Sequence, residues 1–197
     1  HVLVMSATPI PRTLALMIYG DLDVSVIDQL PPGRTPIETY VVREDKRQRM
    51  YNFVRSQVAE GRQAYIICPA VEDNPALSGE ERPALNLKSV KTYAETLQRE
   101  VFPDLRLGVL HGKMKPKEKE AAMSSFSSGE TQVLVATTVV EVGVDVPNAS
   151  LIIIENADRF GLSQLHQLRG RVGRGAHRSH CVLITATRSL EAMERLR

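Results

Sequence analysis

The sequence predicts an α/β protein with a mostly parallel sheet and helices on both faces. Several short runs, 132–136 and 151–154 among them, are rich in apolar residues, and helical segments alternate with them. Strands that are buried on both faces have nearly continuous apolar sequences, and their alternation with helices is typical of parallel sheets. With 197 residues, 43% of them hydrophobic, the chain is long enough for one large domain or one domain and part of another.

The predicted strands of the main unit lie at 38–42, 63–68, 106–110, 132–136, 151–154 and 181–184. Helices are predicted at 44–60, 88–99, 116–128 and around 162–168, because apolar residues recur there at helical spacing. The polar, proline-interrupted stretch 72–87 is predicted to be a surface loop. Because open parallel sheets bind ligands beyond the carboxyl ends of their strands, the turns after these strands are the first places to look for chemistry.

The first part of the chain is predicted to form a separate unit. Strand-like runs at 2–5 and 24–27 flank a helical segment, and three prolines and a glycine then fall within 30–36. Such a stretch cannot hold a regular element, so it is interpreted as a linker. The expected domains are 1–30 and 31–197.

Composition narrows the class of protein. The net charge of +2 is too small to indicate nucleic-acid binding by bulk charge. Cys68 and Cys181 each lie in an apolar run, which favours buried free thiols and a reducing cytoplasm. No apolar run reaches the length of a membrane span, and the first residues lack the basic start of a secretory signal.

The segment 167–174 is the strongest candidate for chemistry. It holds Arg169, Arg171 and Arg174 with glycines between them, and no acid occurs from Arg159 to Leu190. Guanidinium groups cannot lose their protons, so clustered arginines without counter-charges indicate a binding site for a phosphate-like anion. The alternative, a solvated basic face, usually contains lysine and glutamate, and the chain has no lysine after Lys119.

A second candidate follows the predicted strand 132–136. Thr137 and free backbone amides at that strand end could bind a phosphate, and Asp145, two residues beyond Gly143, could bind a ribose hydroxyl or hold an arginine in place. The alternative is an ordinary strand-to-helix turn with a capping threonine.

A third candidate is the turn after the strand 106–110. His111, Gly112 and Lys113 are expected to contact a nucleic-acid backbone, whereas His111 as a catalyst is disfavoured. A dinucleotide-binding loop at 170–175 is rejected because the run follows a helical segment and its glycines are spaced the wrong way. A metal site at His177, His180 and Cys181 is rejected because a second pair of ligands is lacking.

Three motifs together resemble those of a known family. Ser6-Ala7-Thr8, the segment 137–145 and the segment 167–174 resemble motifs three, five and six of superfamily-two helicases. The longer matches at 6–14, 138–147 and 159–175 look like the RecG-type branched-DNA helicases, and the resemblance covers essentially the whole chain. The transcription-repair coupling translocases share part of these motifs and are the alternative family, and a non-catalytic nucleic-acid-binding module of the same fold is the other alternative.

The resemblance implies a RecA-like three-layer fold, in a DNA motor of two lobes that binds ATP between them. Residues 1–30 would be the end of the first lobe, and 31–197 the second lobe, ending before a helical hairpin. Arg171 and Arg174 would be arginine fingers that reach the γ-phosphate. The other implied roles are nucleotide binding by Gly143, Asp145 and Gln167, contact with a DNA phosphate by Thr137, and relay between the two sites by Ser6 and Thr8.

The same resemblance implies what lies elsewhere in such a protein. The chain has no Gly-x-x-x-x-Gly-Lys-Thr loop and no magnesium-binding acid pair, which belong to the first lobe. The expected cofactors are therefore ATP and Mg²⁺, with the Mg²⁺ ligands outside this chain, and the chain by itself is expected to be inactive. The expected partners are branched DNA, such as forks and Holliday junctions, and the first lobe and wedge domain of a monomeric, cytoplasmic protein.

Overall fold

The computed structural model describes residues 25, 36–69, 87–137 and 145–186. The chain divides into two compact units, His1–Gly33 and Arg34–Arg197, and the elements described below belong to the second. The strand predicted at 2–5 lies outside the described residues, as does that at 24–27 apart from residue 25. The linker up to residue 35 and residues 72–86 of the predicted loop also lie outside them.

The described part of the chain contains six strands and four longer helices in alternation. The strands are β1 Ile37–Arg43, β2 Gln63–Ile67, β3 Leu107–Leu110, β4 Val133–Ala136, β5 Ala149–Ile154 and β6 Ser179–Thr185. The helices are α1 Arg47–Ala59, α2 Leu87–Thr96, α3 Pro116–Ser127 and α4 Leu162–Arg169, with single turns at Glu44–Lys46, Leu97–Val101 and Ala157–Arg159. Every strand and helix predicted within these ranges is confirmed, with small shifts at the ends.

The six strands form one sheet in the order β1-β6-β5-β2-β4-β3, and every neighbouring pair is parallel. Alternate residues of each strand point to opposite faces, so Tyr65 and Ile67 enter one hydrophobic cluster and Ala64 and Ile66 the other. Helices α3 and α4 cover the first cluster, and α1 and α2 cover the second. The predicted parallel sheet with helices on both faces is therefore confirmed.

Both cysteines are free and buried, as the sequence predicts. Burial raises the pKa of each thiol, Cys68 and Cys181, to about 12. They are therefore protonated, apolar core residues at neutral pH. Within the described ranges, none of the helices has the length and apolar character that crossing a bilayer requires.

A buried ion pair joins α1 to the end of β5. Glu155, only 4% exposed, follows β5 directly and accepts hydrogen bonds from Arg47 Nη1 and Nη2 at 2.7 and 2.9 Å. The Tyr93 hydroxyl, from α2, donates to the same carboxylate at 2.7 Å. Burial lowers the pKa of Arg47, but hydrogen bonds to Glu155 and Glu44 outweigh it and raise that pKa, so the guanidinium stays charged. Two helices are thus tied to one strand end by a fully bonded carboxylate.

Replacement of Glu155 by alanine should destabilise the protein. The variant Glu155→Ala leaves the Tyr93 hydroxyl without its carboxylate acceptor and leaves Arg47 with Glu44 as its remaining acid, which costs roughly 1 to 3 kcal/mol. Chemical denaturation measures the free energy of unfolding. The matched control is Glu130→Ala, because Glu130 pairs with Arg106 at 3.3 Å on the surface and should contribute less than about 1 kcal/mol. Equal losses in the two variants would contradict the assigned role of the buried pair.

Candidate functional site

The clustered arginines lie on the loop that connects α4 to β6. We call residues 170–178 the arginine loop. Helix α4 buries Leu165 and Leu168 against the core and is capped by Gly170, whose N–H donates to the His166 carbonyl at 3.1 Å. The Arg171 N–H then donates to the Leu168 carbonyl at 3.0 Å, which turns the chain out of the helix.

The middle of the arginine loop is fixed by packing and by backbone conformation. Val172 is fully buried in the cluster under α3 and α4. Gly173 follows with φ +78°, a left-handed conformation that a side chain would strain. The two arginines on either side, Arg171 and Arg174, are therefore carried by a segment whose backbone is anchored between them.

Arg174 has a partner from outside the loop. Its Nε donates to the Gly170 carbonyl at 3.0 Å, and its Nη1 lies 3.5 Å from Asp145 Oδ1. The Arg174 side chain is 31% exposed and that of Asp145 is 52% exposed. The hypothesis that these arginines lack any neutralising neighbour is therefore wrong for Arg174. A carboxylate more than twenty residues earlier in the chain reaches it, which agrees with the expectation that Asp145 could hold an arginine in place.

The charges of Arg171, Arg174 and Asp145 all act on Tyr65 of β2. Burial raises the pKa of Tyr65 to about 12, the positive charges of Arg171 and Arg174 act to lower it, and the negative charge of Asp145 acts to raise it. Gln167, which the sequence analysis also assigned to nucleotide binding, lies half-buried in the last turn of α4, just before the arginine loop.

The arginine loop lies directly on the segment that enters β5. A Cβ atom built on Gly175 would overlap the carbonyl oxygen of Pro147, well inside van der Waals contact. Pro147 lies two residues after Asp145, and Val146 between them is 2% exposed in the core. The approach of the two backbones at Gly175 therefore supports the same geometry that places Arg174 near Asp145.

His111 and Thr137 meet at another place in the sheet. Leu110 and Ala136 are the last, paired residues of β3 and β4, and the Thr137 N–H donates to the Leu110 carbonyl at 3.0 Å. Thr137 and His111, at 4% and 6% exposure, are buried beyond these strand ends, followed by exposed Gly112. Neither ring nitrogen of His111 has a hydrogen-bond partner among the residues that the structure describes.

The environment of His111 is basic. Burial lowers the pKa of His111, and so do the charges of Lys91, Lys119 and Lys113, while Glu118 opposes them. The imidazole is therefore neutral at pH 7, with one N–H to donate and one nitrogen to accept a hydrogen bond. A buried polar ring without a partner is uncommon and marks a position where a ligand can supply one.

The structure thus sorts the predicted site residues into two groups. Arg171, Arg174 and Asp145 lie on the segments that enter β5 and β6, whereas His111 and Thr137 lie at the carboxyl ends of β3 and β4. Only the second group occupies the strand ends where parallel sheets usually bind ligands. The remaining predicted residues, Ser6, Thr8 and Gly143, lie outside the described residues.

Sequence reasoning missed three contributors to this site. Tyr65 and Ser179, whose hydroxyl accepts a hydrogen bond from the Gly173 N–H, resemble ordinary strand residues in the sequence. Pro147 ends the matched segment 138–147, but nothing in that match indicates a contact with the arginine loop. Their contributions arise from contacts between segments that are distant in the chain. In the described ranges, no cluster of three or more His, Cys, Asp or Glu side chains is placed to bind a metal ion.

Adding a methyl group at Gly175 should displace the arginine loop. The variant Gly175→Ala must move the loop away from the Pro147 carbonyl, and such overpacking costs roughly 1 to 3 kcal/mol. Chemical denaturation measures the loss. The matched control, Ala176→Ser, adds one heavy atom at the exposed neighbouring position and should change the free energy of unfolding little. A Gly175→Ala protein as stable as the control would show that the close approach to Pro147 is not a constraint.

Comparison with known proteins identifies the family of this chain. Residues 45–176 match the family model of the helicase conserved C-terminal domain. The ATP-dependent DNA helicase RecG of Synechocystis is 54% identical over all of this chain, which covers 23% of that protein. RecG of Thermotoga maritima is 51% identical over 99% of the chain and 24% of the relative, and RecG of Escherichia coli K12 is 54% identical over 95% and 26%.

Solved structures agree in fold. A RecG structure bound to a three-way DNA junction superposes with a TM-score of 0.78 at 48% identity, covering 98% of this chain and 24% of that one. The Saccharomyces cerevisiae protein Dbp5, bound to RNA and ADP BeF3, gives a TM-score of 0.60 at 14% identity over 97% of this chain and 46% of that one, a likeness of fold alone.

The chain spans about a quarter of the length of the curated relatives it matches. The matched residues include strands β2 to β5 of the parallel sheet and the arginine loop up to residue 176. The expected RecA-like helicase fold is therefore confirmed. The chain belongs to the family of helicase conserved C-terminal domains and is of the RecG type.

Proposed function

We propose that this chain is the second motor lobe of an ATP-dependent DNA helicase that remodels stalled replication forks and recombination junctions. The observation that carries the proposal is the pairing of Arg171 and Arg174 on one anchored loop, with Asp145 3.5 Å from the second arginine. The RecG relatives are named as ATP-dependent DNA helicases, and one of them is bound to a three-way junction. Residues 31–197 would form the lobe, and residues 1–30 would belong to the lobe before it.

The contacts of Arg174 are weak enough for a phosphate to replace Asp145 as its partner. Its guanidinium is held by one backbone carbonyl and by a carboxylate that is half exposed and 3.5 Å away. Exposed ion pairs of this kind contribute little, so a phosphate carrying more negative charge can replace Asp145 at small cost. Asp145 keeps the arginine aimed while no nucleotide is bound. Arg171 and Arg174 then stabilise the charge that develops on the transferred phosphate group.

The same assignment gives roles to the other residues that are proposed to bind the nucleotide. Gly143 and Asp145 lie at the edge of the nucleotide, and Gln167 links it to the segment after β4. ATP enters with Mg²⁺, whose ligands belong to the first lobe, and the first lobe and wedge domain are the intramolecular partners. Ser6 and Thr8 relay the nucleotide state to the DNA side in a monomeric, cytoplasmic protein of DNA repair and recombination.

The DNA side of the proposal is supported by the ends of β3 and β4. The ring of His111 has no hydrogen-bond partner in the described residues; exposed Gly112 follows it in the chain, and Thr137 follows the end of the neighbouring strand β4. Hydrogen-bond donors of this kind, beside lysines, suit the phosphates of a DNA strand. Because the ring is neutral, its contribution is a hydrogen bond and not a charge.

Removal of Arg174 tests the motor function. In the full-length protein, Arg174→Ala should lower the kcat of DNA-stimulated ATP hydrolysis by roughly a thousandfold, because transition-state charge on the phosphate is no longer stabilised. DNA affinity should stay nearly unchanged, since the arginine faces the nucleotide. A steady-state ATPase assay and a fluorescence-anisotropy titration with fork DNA measure the two quantities.

The matched control is Arg178→Ala, which removes an exposed arginine from the same loop. It should retain ATP turnover within a few-fold of the unaltered protein. Turnover by Arg174→Ala at the level of this control would refute the motor assignment and favour a non-catalytic module of the same fold.

Removal of the His111 ring tests the DNA side. His111→Ala in the full-length protein should weaken fork-DNA binding about ten- to a hundredfold, the loss expected for one hydrogen bond from a neutral ring to a charged phosphate. Because no charge is lost, the dependence of affinity on salt should keep its slope. Thr137→Val, which removes a hydroxyl with little change of shape, should act in the same direction.

A histidine elsewhere serves as the control for this test. His177→Ala removes an exposed ring from the arginine loop and should leave DNA affinity unchanged. Melting temperatures of all three variants show whether packing is preserved. Unaltered affinity in both His111→Ala and Thr137→Val, with intact folding, would exclude the ends of β3 and β4 from the DNA interface.

A further inference from the structure

One buried hydroxyl connects the arginine loop to the sheet. The Gly173 N–H, between the two arginines, donates to Ser179 Oγ at 3.1 Å, and this bond is buried. The same hydroxyl donates to the His177 carbonyl at 3.3 Å. One side chain, 2% exposed, therefore bonds to the loop at two points, one near its middle and one near its end.

Ser179 is itself held by the sheet. It is the first residue of β6, and its register partner in the parallel ladder is Ile37 of β1. β6 lies between β1 and β5, so backbone hydrogen bonds fix it from both sides. The position of the hydroxyl is thus set by an element much stiffer than the loop that it bonds.

The hydrogen bond to Ser179 fixes the backbone between the two arginines. Gly173 directly precedes Arg174 and lies two residues after Arg171, and its left-handed backbone sets the direction in which the chain leaves Val172. A buried N–H that loses its acceptor costs about 1 to 3 kcal/mol, which a loop can avoid by moving its amide toward water. Such a movement would carry Arg174 with it.

The residue after Arg174 is restrained as well. Gly175 rests against the Pro147 carbonyl, so the loop cannot shift toward β5 without overlap. The hydrogen bond from the Gly173 N–H to Ser179 Oγ restrains the residue on the other side of Arg174 in the chain. Both residues that neighbour Arg174 are thus restrained by residues outside the arginine-bearing segment 167–174.

We propose that Ser179 is a positioning residue, which holds Gly173 so that Arg171 and Arg174 meet the phosphate in the geometry that hydrolysis requires. The proposal rests on the proposed function of the two arginines. Misplacement of a catalytic group by about 1 Å can cost on the order of a hundredfold in rate. Ser179 touches no substrate and acts only through the loop.

The test uses the full-length protein with Ser179→Ala and the conservative variant Ser179→Thr. We expect Ser179→Ala to lower the kcat of DNA-stimulated ATP hydrolysis about ten- to a hundredfold, with the KM for ATP and the affinity for fork DNA changed less than about threefold. Binding of ADP with aluminium fluoride, a transition-state analogue, should weaken in parallel with kcat, whereas binding of ADP alone should not. Ser179→Thr keeps the hydroxyl and should restore most of the rate.

Two controls separate this proposal from a general loss of stability and from failure of the proposed function. Ser128→Ala removes an exposed hydroxyl that also donates to a backbone carbonyl, and it should leave kcat unchanged. If Arg174→Ala retains turnover, the proposed function fails. If Arg174→Ala is inactive but Ser179→Ala turns over normally, only the positioning role fails.

A measurement on the unaltered protein keeps the proposal testable if Ser179→Ala does not fold. The Gly173 amide should exchange its hydrogen as slowly as the amides of β6, because it is buried and bonded to that strand. Exchange of Gly173 as fast as that of an exposed loop amide would overturn the proposal. So would equal losses of kcat in Ser179→Ala and Ser179→Thr that follow their melting temperatures.

Discussion

The burial of β5 between β2 and β6 is the constraint on which the other features depend. All residues of β5 are at most 2% exposed, and both neighbouring strands run parallel to it. Parallel strands must be joined by crossovers that pack on the sheet faces, so the chain returns to the same edge before each strand. This return brings the segments before β5 and β6 side by side, although they are distant in sequence. Asp145 and Pro147 thereby meet the arginine loop.

The same architecture separates two kinds of chemistry. At the entry of β5 and β6, charge dominates: Arg171 and Arg174 lie on one loop, Asp145 lies 3.5 Å from Arg174, and the backbones approach closely at Gly175. At the carboxyl ends of β3 and β4, a neutral His111 is buried near several lysines, with its ring unbonded among the described residues. The proposed motor function, which would couple a nucleotide to DNA, requires two such places on one rigid body. The sheet supplies that rigidity because its central strands are packed on both faces.

Much of this could be predicted from local patterns. Uniformly apolar runs indicated buried strands, and helical spacing of Met50, Val54 and Val58 indicated α1. The arginine cluster was recognisable because arginines without acids nearby are unusual in sequence. The partner of Arg174 was not identifiable in that way, since Asp145 belongs to another crossover and only the parallel register brings it within 3.5 Å. The Arg47–Glu155 pair could not be predicted for the same reason. In the sequence, an acid after an apolar strand resembles an exposed turn residue, and its burial depends on helices that are distant in the chain.

By itself, the sequence determined which segments are strands and helices, which faces are apolar, where the arginines cluster and which family the motifs resemble. These properties depend on neighbours within a few residues along the chain, where side-chain spacing alone sets the preference. Only the tertiary structure decided that Asp145 pairs with Arg174, that Ser179 bonds Gly173, and that the predicted site residues fall into two groups. Those relations join residues that only the closing of the sheet brings together, and no local pattern records the order in which parallel strands pair.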